Sequence, residues 1–180
     1  MKNVILLRKV FMSLLFITVV VSCSSDDGGN SDYLANVPKG EIVPVAERQR
    51  ALTGFDEDVA PRSSNTETQK WWKYIYGEVT YNCEGENETD EIEESGYYYA
   101  FFPNGKMYYK IGEEGTPNAY NDWEWANSSK SKIQITDQWG ETLDFELTEL
   151  NDDSVVYASY QSEQGCSLLT WEQLGSPVFD

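Results

Sequence analysis

The fold is decided by the stretch 97-YYYAFFPNGKMYYKI-111, in which two aromatic runs flank Asn104-Gly105. Asn and Gly tolerate the positive φ angles of a tight hairpin turn, so this pair predicts two antiparallel strands joined by two central residues. Such a turn pairs Pro103 with Lys106 and sets Phe102 opposite Met107. Because side chains alternate between faces, this register puts Tyr98, Phe102 and Tyr109 on one face. It puts Tyr97, Tyr99, Phe101 and Tyr108 on the other.

Short runs of aromatic and β-branched residues also occur on both sides of this hairpin. It predicts eight strands, near residues 71–83, 96–102, 107–111, 119–126, 132–137, 141–150, 154–161 and 166–173. Glu149 and Leu150 break the alternation and indicate a bulge. Short connections favour an all-β, antiparallel up-and-down barrel of eight strands over residues 67–180. A β-sandwich is the competing arrangement.

Alternation of apolar and polar residues also predicts which side chains fill the barrel. The residues expected to line a ligand cup are Tyr98, Phe102, Tyr109, Trp123, Trp125 and Phe145. The alternative is that these large rings pack together as the core of the barrel and leave no space for a ligand. The opposite face of the hairpin offers Tyr97, Tyr99, Phe101 and Tyr108 as an outer aromatic stripe for a protein or glycan partner.

Two cysteines bear on closure of the barrel. Cys83 ends the first predicted strand and Cys166 begins the last. In a closed up-and-down barrel these strands are antiparallel neighbours, so the two ends meet. Outside the cytoplasm such a pair forms a disulfide, which the sequence therefore predicts. Two separate reduced thiols are the alternative.

The N-terminus has the layout of a signal peptide over residues 1–22, with basic residues before an apolar run of 12 residues, Val10–Val21. That run is shorter than the roughly 20 residues a transmembrane helix needs. Val20-Val21-Ser22-Cys23 resembles the lipobox of bacterial lipoproteins, which implies cleavage before Cys23 and acylation of its thiol. Ser24–Gly29 resembles the acidic signal that sends some lipoproteins to the outer-membrane surface. A lipid-anchored protein of the Gram-negative outer membrane is expected.

Residues 23–66 contain many Ser, Asp, Gly, Asn and Pro residues and read as a flexible acidic linker. Within it, Pro44 and Gly54 bracket a segment that predicts a two-turn helix. This helix is either a spacer or a plug over a cavity. Further along, residues 84–94 carry seven acids in eleven positions and predict a solvated loop rather than a Ca²⁺ loop.

The amino-acid composition disfavours several classes of function. The chain has 180 residues, 13 Lys plus Arg, 31 Asp plus Glu and no His, which gives a formal charge of −18. Such a charge disfavours nucleic-acid binding, which depends on Lys and Arg. The absence of His removes the commonest general base near neutral pH. We expect a non-catalytic monomer without a metal or cofactor.

Several of these segments together resemble the lipocalin-like domain of bacterial lipoproteins. The resemblance spans Lys70 to about Leu174 and rests on Trp71-Trp72, the Tyr99–Gly105 turn region, Tyr120–Trp125, Phe145-x-Leu147-x-x-Leu150 and Asn151-Asp152-Asp153. True lipocalins carry a Gly-x-Trp near the first strand, whereas Lys70 precedes Trp71 here. The resemblance implies a small barrel that binds an apolar or amphipathic molecule. The alternative function is adhesion or inhibition through the outer stripe.

Overall fold

The computed structural model describes residues 32–56, 69–93 and 96–179. The predicted signal peptide, Cys23 and the Ser24–Gly29 segment lie outside these residues. Two 3₁₀ helices, Asp32–Asn36 and Val45–Glu47, precede the α-helix α1, Arg48–Thr53. The strands are β1 Lys70–Cys83, β2 Glu86–Ile92, β3 Tyr97–Phe101, β4 Lys106–Ile111, β5 Asn118–Trp125, β6 Lys132–Thr136, β7 Thr142–Leu150, β8 Ser154–Glu163 and β9 Cys166–Phe179. No helix among the described residues is long and apolar enough to cross a membrane.

The sheet closes on itself. Strands β3 to β9 pair in sequence order, β1 pairs with β3, and β1 also pairs with β9 from Lys70↔Phe179 to Cys83↔Cys166. This confirms the predicted eight-stranded antiparallel barrel and excludes the sandwich. The predicted bulge near Glu149 is present, because the β7–β8 register shifts between Leu147 and Glu149.

One strand was not predicted. The acidic run expected to be a loop forms β2, which pairs with the end of β1 beyond Gly77. Glu84 and Gly85 both have positive φ, 53° and 88°, and make the two-residue turn that joins the strands. The loop prediction was wrong because it weighed charge alone, and an edge strand tolerates charge well.

The Cys83–Cys166 disulfide is present. The two residues are direct cross-strand partners with Cα atoms 4.2 Å apart. Each adjoins a two-residue turn, because Gln164 and Gly165 repeat the positive φ angles of Glu84 and Gly85. The disulfide therefore joins the tips of two neighbouring hairpins.

The predicted register of the β3–β4 hairpin was wrong by one residue. Phe101, not Phe102, faces Met107, and Tyr99 faces Tyr109. The loop has three residues, because Phe102 N donates to Lys106 O (2.9 Å) and Gly105 alone has positive φ, 81°. Pro103 fits the first central position of a type I turn, and Gly105 then takes the left-handed conformation that completes a three-residue hairpin.

This slip exchanges the two faces of β3 and leaves those of β4 as predicted. Phe101 and Met107 lie in the main core inside the barrel, and Tyr97 and Tyr99 pack against that core. Tyr98 and Ala100 instead lie in an outer cluster with Trp71, to which Phe102 and Tyr108 add. On β8, whose inward face the sequence left open, Val155 and Tyr157 join the main core.

Helix α1 seals one end of the barrel. Ala51 and Leu52 are buried in the main core, and the Leu52 carbonyl accepts a hydrogen bond from Trp72 Nε1 (2.8 Å). Gln49 Oε1 accepts one from Trp125 Nε1 (2.6 Å). Backbone bonds from Gly40 and Val43 to the end of β7 hold the segment before the helix. The helix is where the sequence predicts it, and it is a plug rather than a spacer.

The segment before α1 also packs against the barrel wall. Leu34 and Val37 are buried against Val156, Ala158 and Trp171 on the outer face of β8 and β9. Residues 32–56 therefore differ from the flexible linker expected there, because most of their apolar side chains, among them Leu34, Val37 and Leu52, pack against the barrel. The predicted boundary near residue 67 falls outside the described residues.

Candidate functional site

The end of the barrel opposite α1, which we call the open end, is covered by no described helix and carries exposed apolar side chains. Strands of an up-and-down barrel alternate in direction, so the β1–β2, β4–β5, β6–β7 and β8–β9 turns all lie at this end. Exposed apolar side chains concentrate there: Tyr81 (41% exposed), Ile111 (61%), Tyr120 (46%), Trp139 (74%) and Leu143 (39%). The pairs Tyr97↔Ile111 and Ile135↔Leu143 put Ile111 and Leu143 on the inner face. An apolar rim of this kind is typical of a binding site.

Tyrosine rings line the barrel below this rim. Tyr120 lies 5.7 Å, centroid to centroid, from both Tyr99 and Tyr109. Tyr97 contacts Tyr109 at 6.2 Å, and Tyr74 contacts Tyr99 at 6.0 Å. A bulge in β5, where the β4–β5 register shifts, turns Tyr120 inward. The result is a connected set of rings, of which Tyr74 is buried, Tyr97, Tyr99 and Tyr109 are half-buried, and Tyr120 is exposed.

A carboxylate lies on this inner face. Tyr157 and Glu172 are direct cross-strand partners on β8 and β9, and the Tyr157 hydroxyl donates to Glu172 Oε2. Burial raises the pKa of Tyr157 well above its usual value, with further contributions from Glu172, Tyr99 and Tyr120. Tyr157 is buried, whereas Glu172 is partly exposed. We call Tyr97, Tyr99, Tyr109, Tyr120, Tyr157 and Glu172 the cup.

Gly77 makes room for a tyrosine next to the cup. It faces Glu172 across the β1–β9 ladder, and a Cβ atom there would collide with the Tyr74 hydroxyl. Any larger residue at position 77 would push the Tyr74 ring away. The absent side chain is thus what lets the Tyr74 hydroxyl lie against the backbone at this position.

Two hairpins extend beyond the barrel wall and form a flap, residues 78–92 and 159–170. There β1 and β9 pair with each other and with β2 and β8, but not with the rest of the barrel. Because Gly77 pairs with Ile92, alternation puts Val79↔Asp90 and Tyr81↔Glu88 on the face continuous with the cup. A depression of about 450 Å³ is lined by Tyr81, Glu86, Asn87 and Glu88.

The other end of the barrel keeps its large side chains packed. Phe101 and Trp123 meet edge to face at 5.5 Å, and Trp123 and Trp125 do so at 5.6 Å. Trp123 Nε1 donates to the Phe102 carbonyl (2.9 Å). This half of the interior is core, so only the half near the open end is available to a ligand.

A second depression, of about 690 Å³, lies outside the sealed end. Its lining includes Arg50, Lys70, Asp152, Asp153 and Phe179. Burial lowers the pKa of Lys70 to about 8, and its Nζ donates to the Ala51 carbonyl (2.8 Å) above the Trp72 ring. This amine holds α1 in place.

The structure places the predicted binding residues in different parts of the barrel. Among the predicted ligand residues, Tyr109 lies in the cup, Trp123, Trp125 and Phe145 lie among the packed rings near the sealed half, and Tyr98 and Phe102 lie on the outer face. Among the predicted outer stripe, Tyr97, Tyr99 and Phe101 are inside and only Tyr108 is outside. No continuous aromatic stripe of these four residues exists on the outer surface.

Sequence reasoning missed Tyr120, Tyr157 and Glu172. Tyr120 turns inward only through a bulge, which no pattern in 118–125 announces. Alternation along β9 places Thr170, Glu172 and Leu174 on one face of the strand. An acidic residue is normally expected to point to solvent, so the sequence did not indicate that this face is the inner one. Comparison with models of known protein families and with curated proteins found no match.

Proposed function

We propose that the barrel binds a small apolar or amphipathic molecule through its open end, without chemical conversion. The observation that carries the proposal is the concentration of exposed apolar side chains at the end that α1 does not seal. A barrel of eight strands is wide enough for one small ligand, and the rings of the cup offer flat apolar walls. The lipocalin-like resemblance of the sequence agrees with this function.

The competing adhesion function loses its predicted surface. It required Tyr97, Tyr99 and Phe101 on the outside, and all three face the interior. Binding rather than catalysis is favoured because the chain has no His and the Glu172 carboxylate is already hydrogen-bonded to Tyr157.

The test is titration of the full chain with the neutral probe N-phenyl-1-naphthylamine, followed by its fluorescence. The variant Ile111→Ser/Tyr120→Ser removes two exposed apolar side chains from the open end. We expect it to bind the probe about tenfold more weakly, as loss of apolar contact area requires.

The matched control is Ile75→Ser/Tyr160→Ser, which removes one Ile and one Tyr that are each 42% exposed away from the cup. Tyr160 stacks on Tyr33 outside the barrel. This control should bind as the wild type does. Equal weakening in both variants, or no binding by the wild type, would contradict the proposal.

We further propose that Cys23 carries lipid and anchors the protein at the outer-membrane surface. Support comes from the basic, apolar and small-residue pattern of residues 1–23. Labelling of cells with radioactive palmitate should mark the wild type and not Cys23→Ser. A labelled Cys23→Ser variant would contradict the anchor.

A further inference from the structure

Glu172 is the only Asp or Glu on the inner face of the barrel wall among residues 97–179. It has tyrosine side chains around it: Tyr157 donates to it, and the Tyr74 hydroxyl lies close to Gly77, its cross-strand partner on β1. The Tyr74 ring in turn lies 6.0 Å from the Tyr99 ring. A carboxylate has several acceptor positions, so it can accept a donor from a ligand in addition to the Tyr157 hydroxyl. Aromatic faces beside a carboxylate are the surroundings that an organic cation prefers.

The basic side chains of the described residues lie elsewhere. Within the described strands, Lys106 and Lys132 lie on the outer face with Asp122 and Glu146. Lys110 lies over the Trp71 ring in the outer cluster, and Lys70 lies at the sealed end. No described Lys or Arg shares the inner face with the cup.

Among the described residues, the turns and the flap around the open end add negative charge only. Their charged residues are Glu78, Glu84, Glu86, Glu88, Asp90, Glu91, Glu93, Glu113, Glu114, Asp137, Glu141 and Glu163. Four of them, Glu86, Glu88, Asp90 and Glu163, are on the flap face that continues into the cup. A ligand that enters from this side passes through a uniformly negative field, which concentrates cations and repels anions.

We propose that the molecule bound in the cup is an organic cation, an amine or quaternary ammonium group on an apolar body. This inference rests on the proposed function and names the class of ligand. The ammonium group lies beside Glu172 and the tyrosine rings, and the apolar body contacts the rim residues Ile111, Tyr120 and Leu143. A small molecule fits better than a protein segment because Phe101 and Trp123 close the space below the cup.

The experiment compares three probes with the same ten-carbon chain, each below its micellar concentration, by calorimetry on the full chain. They are decyltrimethylammonium, decanol and decyl sulfate. We expect the cation to bind about tenfold tighter than the alcohol, and the sulfate to bind more weakly than both. Added salt should weaken binding of the cation and leave the alcohol unaffected.

The variant Glu172→Gln should abolish the advantage of the cation and leave the affinity for decanol unchanged. The control Glu78→Gln removes an acid that pairs with Trp171 on the outer face, and should change neither affinity. Should Glu172→Gln fail to fold, the ranking of the three probes on the wild type decides the question.

Equal binding of the three probes by the wild type would overturn the inference and leave the proposed function standing. The same holds if Glu172→Gln weakens the cation and the alcohol equally. If no probe binds, both the inference and the proposed function fail. A lysine-rich peptide that binds without displacing decanol, while decyltrimethylammonium does not bind, would also overturn the inference, in favour of a basic protein partner.

Discussion

Phe101 and Phe102 are consecutive residues whose side chains lie on opposite sides of the barrel wall. Phe101 is fully buried against the Trp123 ring inside. Phe102 is half-buried outside, where its ring lies 4.8 Å from that of Tyr108. The three-residue loop that follows them decides which of the two is core.

Alanine substitution separates these two positions. Phe101→Ala should lower the free energy of unfolding by about 3–5 kcal/mol, because it leaves a cavity in the core. Phe102→Ala should cost about 1–2 kcal/mol, since this side chain is only partly buried. Urea denaturation followed by circular dichroism measures both. A larger loss for Phe102→Ala would mean that the hairpin has the two-residue register.

The plug can be tested at Leu52, which is fully buried. Leu52→Ala should destabilise the protein by about 2–4 kcal/mol. Val45→Ala, in the exposed turn before α1, should cost less than about 0.5 kcal/mol. Denaturant midpoints of the two variants give the comparison. If the two losses are equal, α1 does not belong to the core.

The lowered pKa of Lys70 should make the stability of the protein depend on pH. Burial lowers the pKa of Lys70 from the usual 10.5 to about 8 in the folded protein, since it outweighs the attraction of Asp152 and Asp153, and Arg50 adds repulsion. Between pH 8 and pH 10.5 the unfolded chain binds more protons than the folded protein, so the free energy of unfolding rises with pH. The total rise is about 1–3 kcal/mol. Lys70→Met should lack this rise between pH 7.5 and 9.5, measured as the difference from wild type at each pH. Parallel curves for the two proteins would contradict the prediction.

Removing the disulfide should affect the flap more than the barrel. Cys83→Ser/Cys166→Ser should lower the free energy of unfolding by about 2–5 kcal/mol. Amide exchange should accelerate in residues 78–92 and 160–169, whose hairpins the bond joins, and little in β4 and β7. Uniform acceleration would contradict this division. Mass spectrometry of the folded wild type under non-reducing conditions should find no free thiol at Cys83 or Cys166.

The sequence predicts those features that depend on local pattern. Alternation of apolar residues locates eight barrel strands, and the positions of Cys83 and Cys166 correctly indicate that the first and last strands are neighbours. Pro44 and Gly54 locate α1. Each of these signals lies within a few residues or rests on a simple topological rule.

The sequence-based predictions are wrong where a contact between residues far apart in the sequence determines the local structure. Asn104-Gly105 suits a two-residue turn as well as the observed loop, but the Gly105 carbonyl accepts the Trp123 backbone N–H (2.8 Å), a bond with the next strand. That single-residue slip put Tyr98 and Phe102 of the predicted cup outside, and Tyr97, Tyr99 and Phe101 of the predicted stripe inside. Strand β2 was missed because only the long extension of β1 gives its acidic residues a partner.

The uneven distribution of charge between the two ends has a consequence for orientation. Among the residues that the structure describes, the turns and flap at the open end carry carboxylates alone, whereas Lys and Arg residues mix with acids around the sealed end. The barrel therefore has a permanent electric dipole along its axis, with the negative pole at the mouth. Above an anionic surface, such a molecule rotates until its mouth points into the surrounding solution.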